Sequence, residues 1–137
     1  MSVEENKKAV RRLHELVNKR DWTAAMKLFA PDYVFHSTPE AKGPEGFKQT
    51  MAGMVASFPD YTEKIENIIA EGDMLVVSYT LQGTFTGETP GNKPTGKKFS
   101  IPAVIICRFK NGKQIDAWPY YDTLEWNRQL GIPIPQQ

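Results

Sequence analysis

The sequence predicts an α+β fold in which N-terminal helices pack on a curved, mostly antiparallel sheet to form a cone-shaped barrel. Three observations carry that expectation. Apolar residues recur at helical spacing as far as Phe58, apolar and polar residues alternate from Tyr61 onward, and no repeat or composition shift divides the chain. A single domain over residues 1–137 follows, since 137 residues with 40% hydrophobic content support one core. A core of that size buries roughly two-thirds of the surface exposed by the unfolded chain.

Ser2 followed by Glu5 reads as a capping box, and Val10, Leu13 and Val17, with Ala9 and Leu16, form an apolar stripe behind it. This helix ends near Arg20. Asp21 is a good N-cap for a shorter helix whose Trp22, Ala25, Met26 and Phe29 fall on one face before Pro31 stops it. YVFHS, 33–37, is short and aromatic and reads as a strand. Gly43 and Pro44 introduce a third helix with Phe47, Met51, Met54, Val55 and Phe58 on one stripe, and Pro59 ends it.

The second half reads as an antiparallel meander. Leu75, Val77, Tyr79, Leu81 and Phe85 share one face of the strand that begins at Met74. The strand KFSIPAVIICRF places Phe99, Ile101, Ala103, Ile105, Cys107 and Phe109 on one side, while Val104 and Ile106 make the other side apolar too. That strand is expected to be covered on both faces. A Gly/Pro-rich connector separates these strands, and Asn111-Gly112 signals a tight hairpin into the last strand. Between helices and sheet a cone lined by Met51, Met54, Phe58 and Tyr79 is expected. Unfilled, it is a pocket of roughly 300–1,000 Å³ for a small hydrophobic molecule.

Several function classes are excluded on composition. Seventeen basic residues stand against sixteen acidic ones, scattered rather than massed, so no nucleic-acid partner is expected. MSVEENKK lacks the apolar core of a secretory signal, and no apolar run reaches the roughly 20 residues that span a bilayer. A cytoplasmic protein with no membrane partner is expected. Cys107 with His14 and His36 forms no cluster at ligand spacing, so no metal is assigned.

Four runs in order, RDWTAAMKLFAPDYVFHS, then GPEGFKQTMAGMVASFPDYTEKIENIIAEGD, then PTGKK, then CRFKNGKQIDAWPYYDTLEWNRQLG, make the chain resemble the SnoaL-like polyketide cyclase family. The resemblance covers nearly the whole chain. It implies the cone-shaped α+β barrel of the nuclear transport factor two-like superfamily, cystatin-like in layout, and a homodimer formed through the sheet. It also implies a hydrophobic cavity for a carbonyl compound and ring closure by aldol condensation without a cofactor. A carboxylate in such a cavity has its pKa raised by desolvation, so it can take a carbon-bound proton and return it.

The chain departs from the family at the last strand. Where many members resemble His-Trp-Asp-x-x-Asp, this chain reads Ala117-Trp118-Pro119-Tyr120-Tyr121-Asp122, losing the histidine and the first aspartate. Ile115, Ala117, Pro119 and Tyr121 share one face by period-two geometry, and Asp116, Trp118, Tyr120 and Asp122 the other. Pro119 suggests an edge or a bulge, which could turn Asp122 or Tyr120 inward. Asp122 also makes an Asp-x-x-Glu capping box with Glu125 for a final helix, and that reading is preferred to an acid/base role.

The candidate catalytic residues are nonetheless His36, which matches the family's histidine after the first strand, and Asp122. Tyr33, Tyr79, Tyr120 and Tyr121 could donate to an enolate oxygen, and Arg108 could polarise a carbonyl. Met54, Phe58 and Trp118 complete the expected substrate-binding set. Arg108 with Asp116 and Asp122 is the available arrangement for epoxide hydrolysis. Two other readings stand beside an enzyme: a binding module that keeps the pocket without its chemistry, and a dimerisation module using the apolar outer face of 99–109.

Overall fold

The structure is a computed structural model and describes residues 2–133. Helix α1 (Val3–Lys19) starts where the Ser2 hydroxyl accepts the Glu5 N–H at 3.1 Å, and it buries Val10, Leu13, Leu16 and Val17. It stops at Arg20, whose left-handed backbone (φ 63°) is supported by its own side chain. The guanidinium donates to the carbonyls of Pro59 (3.1 Å) and Tyr61 (2.7 Å), tying the helix end to the sheet.

Helix α2 (Trp22–Met26) is capped by Asp21 as expected, but it is shorter than its apolar spacing suggested. Phe29 is not helical; it opens strand β1 (Phe29–Phe35). There it packs on Tyr33 and Phe47, with ring centroids 4.2 and 4.6 Å away, so the same burial is reached from a strand. Pro31 lies inside β1 where the pairing register is interrupted, so its missing N–H removes no ladder bond. A two-residue strand β2 (Ala41–Lys42) leads through Gly43, at φ 71°, into α3 (Gly43–Ser57).

The remaining strands are β3 (Thr62–Glu71), β4 (Met74–Thr84), β5 (Lys98–Lys110) and β6 (Lys113–Tyr121), followed by helix α4 (Thr123–Leu130). They join β1 and β2 in one six-stranded sheet of order β2-β1-β6-β5-β4-β3. From β3 to β6 it is the expected antiparallel meander, whereas β1 runs parallel to β6, making a curved, mixed and open sheet. Asn111 and Gly112 both have positive φ (51° and 75°), the backbone that lets a two-residue turn pair Lys110 with Lys113.

One face of the sheet carries the core: Leu75, Val77, Leu81, Ile101, Ala103 and Cys107 are all buried against the helices. The opposite face of β5 is not covered by the described residues. Val104 is 36% exposed there, because no described helix crosses that side, which corrects the expectation of a strand buried on both faces. At one end of the cone Phe58, Phe85, Phe99 and Trp126 close on one another at centroid distances of 4.8–5.9 Å.

Candidate active site

Between α1, α3 and the concave side of the sheet lies a partly enclosed cavity of about 100 Å³. It falls below the size expected from the sequence because Leu13, Phe47 and Met51, themselves buried, occupy much of the space between helices and sheet. Its walls are apolar except for a few residues from different elements: His14 from α1, Thr50 from α3, Glu63 from β3 and Tyr61 just before it, Tyr33 from β1, Tyr79 from β4, and Gln114 and Tyr121 from β6.

His14 is one turn from Val10 and Val17 on the buried stripe of α1, so helix geometry alone turns it to the sheet. Glu63 alternates with Thr62 and Lys64 and pairs with Leu81, so it faces inward with Ile65. Their side chains are only 11% and 9% exposed, and His14 Nδ1 lies 2.8 Å from Glu63 Oε1. The contact is close without the alignment of a directed hydrogen bond, and Nδ1 has no other partner among the described residues. The Tyr61 hydroxyl donates to the second oxygen, Oε2, at 2.5 Å. Asn18 fixes Glu63 from behind: its amide donates to the Glu63 carbonyl (2.8 Å) while its oxygen accepts the Glu63 N–H (2.9 Å).

The tyrosines supply neutral O–H groups. Burial holds the Tyr33, Tyr61 and Tyr79 hydroxyls well above their ordinary pKa, with the Glu63 carboxylate reinforcing the effect at Tyr61 and Tyr79. Each therefore keeps its proton at neutral pH; the Tyr61 O–H is taken by Glu63, while Tyr33 and Tyr79 can donate to an oxygen that gains negative charge.

Strand β6 resolves which residues look inward. Its pairing with β5 runs unbroken from Asp116 opposite Arg108 to Tyr121 opposite Ala103, so Ala117, Pro119 and Tyr121 face the core. A bulge is present, but it sits upstream at Ile115, where the register shifts between Arg108 and Phe109. It turns Gln114 inward and leaves Asp116, Trp118 and Tyr120 on the outer face.

The residues expected from the sequence therefore divide between two sides of the sheet. Tyr33, Met54, Tyr79 and Tyr121 line the cavity. Phe58 sits outside it in the aromatic cluster that closes the cone, since its ring is held against Phe85, Phe99 and Trp126. His36 is on the outer face, where Nδ1 meets Glu40 and Nε2 meets Asp116, both at 2.8 Å, and its ring stacks on Trp118 at 4.8 Å. Arg108 joins that cluster, 3.6 Å from Asp116 and over the Trp118 ring. Tyr120 is 57% exposed. Asp122 accepts the Glu125 N–H at 2.9 Å as the N-cap of α4, so the proposed Arg108, Asp116 and Asp122 arrangement does not converge on the cavity.

A SnoaL-like polyketide cyclase profile matches residues 7–130. The chain belongs to the SnoaL-like polyketide cyclase family. Among relatives of this SnoaL-like chain, aklanonic acid methyl ester cyclase DnrD of Streptomyces peucetius is 31% identical over 133 residues, covering 92% of this chain and 90% of the relative. Nogalonic acid methyl ester cyclase of Streptomyces nogalater is 33% identical over 109 residues, 77% of this chain and 81% of that one. Among solved structures, AclR of Streptomyces galilaeus superposes with a TM-score of 0.84 at 28% identity, covering 96% of this chain and all of that one. TsrD of Streptomyces laurentii reaches 0.88 at 21% identity, with 97% and 99% covered, a likeness of fold alone. The SnoaL-like fold is thus firmly placed, while His14 and Glu63 are not among the residues its sequence pattern had singled out.

Proposed function

We propose that this SnoaL-like protein is a cofactor-free enzyme that abstracts a proton next to the carbonyl group of a small hydrophobic compound, leading to aldol-type ring closure or isomerisation. The observation that carries the reading is the His14–Glu63 pair, two titratable groups in contact on the wall of a mostly apolar cavity. The negative charge of Glu63 beside Nδ1 favours the proton on that nitrogen, which leaves Nε2 as the nitrogen that takes the carbon-bound proton. The electron pair of the broken C–H bond moves onto the carbonyl oxygen, and a neutral tyrosine O–H donates to that enolate. In ring closure the enolate carbon forms a C–C bond to a second carbonyl of the same molecule. His14 then returns its proton to the new alkoxide. The names of the relatives, both ester cyclases, support this reaction class.

The test is deuterium uptake by small ketones such as cyclopentanone in heavy water, followed by NMR. Exchange above buffer is expected, falling by roughly 10²–10⁴ in Glu63→Gln and in His14→Phe, the usual contribution of a positioned acid/base. Binding without any exchange would overturn catalysis and leave the pocket as a carrier site, a reading favoured by the loss of family proton-carrying groups at Ala117 and Pro119.

We propose also that two copies pair through the outer face of β5 and β6. Val104 and Tyr120 are exposed there, beside the charged cluster of His36, Arg108 and Asp116 that can fix the orientation of a partner copy.

A further inference from the structure

Gln114 is a buried polar residue that the proposed chemistry has not used. It is 3% exposed and lines the cavity. Its backbone is fully engaged: the N–H donates to the Leu28 carbonyl at 3.1 Å, and the residue pairs with Phe29 on one side and Phe109 on the other. A buried amide on a cavity wall calls for a reason, since such a group costs free energy wherever it is not hydrogen-bonded. Side-chain alternation does not supply one. Strict alternation back from Ala117 would put Ile115 inward and Gln114 outward, and only the bulge at Ile115 reverses the two. The backbone irregularity thus exchanges an apolar wall residue for an amide, at the cost of a continuous ladder.

The rest of the surroundings are one-sided. Phe29, the β1 partner of Gln114, stacks on Tyr33, so Gln114 belongs to the β1/β6 wall of the cavity. His14, Tyr61 and Glu63 come from α1 and the start of β3, at the opposite end of the strand order from β1. A guest between the two walls meets an acid/base group on one and an amide donor on the other. We infer that Gln114 is a substrate-binding residue whose Nε2–H donates to the carbonyl oxygen of a compact, uncharged ketone or ester, fixing which carbon faces His14. The guest is small. A cavity of about 150 Å³ in another protein takes benzene, so about 100 Å³ admits a molecule of that order rather than a fused polycycle.

This inference rests on the carbonyl chemistry proposed above, and the experiment separates the two. The full chain, labelled with ¹⁵N on glutamine side chains, is titrated with cyclopentanone and with cyclopentane, and bound-state methyl shifts report occupancy. Both guests are expected to move the Met51 and Met54 methyl signals, and only the ketone to move the Gln114 Nε2 signal downfield. Gln114→Leu is expected to weaken cyclopentanone by roughly 3- to 10-fold while leaving cyclopentane unchanged or tighter, the effect of one neutral hydrogen bond. Ketone occupancy with a stationary Gln114 signal would overturn the inference and leave the acid/base reading intact. Failure of cyclopentanone to bind at all would overturn both.

Discussion

His36 and His14 show how much a histidine's role depends on the face it occupies. On the outer face, the Asp116 hydrogen bond raises the His36 pKa above its ordinary 6.5, and Glu40 adds to the effect. A raised pKa in the folded state favours the native protein most where the imidazolium is populated. That stabilisation is complete below the unfolded value of about 6.5 and is lost as the pH climbs through the higher folded value. Denaturation midpoints of the wild type are therefore expected to fall, relative to His36→Gln, as the pH rises above about 6.5. Parallel curves for the two proteins would remove this linkage. In the sequence His36 stood out because it follows the aromatic run of β1, whereas His14 was passed over as one of two unclustered histidines. The signal for His14 was present: it shares the apolar stripe of Val10, Leu13 and Val17. Glu63 was equally readable, in phase with Tyr61 and Ile65, but only three-dimensional folding shows that the two phases meet.

At the level of elements, the opening and closing helices were legible because their caps are written locally. Ser2, Asp21 and Asp122 each accept the N–H three residues on. For Asp122 the cap is a structural job visible in the folded chain, and it makes a separable prediction. Asp122→Ala is expected to lose about 1 kcal/mol of stability, as N-cap removal does, with no change in deuterium exchange per folded molecule. A loss of exchange as large as that of Glu63→Gln would return Asp122 to the acid/base role. The end of α2 and the bulge in β6 were not legible for the opposite reason. Phe29 fits a helical stripe as well as a strand, and its state is fixed by Gln114, 85 residues away in the chain. Nothing near Ile115 in the sequence announces a register shift, since it depends on the pairing across to Phe109.

For the whole molecule, the α+β layout followed from a change of hydrophobic period, but the size of the cavity did not. Volume is a sum over side chains from α1, α3 and five strands, and Leu13, Phe47 and Met51 take up space that a pattern of apolar positions cannot measure. The outer face is likewise a property of the assembled sheet. Sedimentation of the wild type is expected to give a dimer and Val104→Lys a monomer, because a charge placed on the exposed apolar patch of β5 opposes its burial. A wild-type monomer at high concentration would eliminate pairing through that surface.

The parallel ladder between β1 and β6 also sets a timetable. The strand that anchors the first third of the chain, β6, lies far downstream of it, so the β1 edge stays unpaired until Lys113–Tyr121 has been made. Distant partners of this kind slow folding through the entropy of closing the intervening loop. The hollow interior therefore closes only once β6 has joined the sheet.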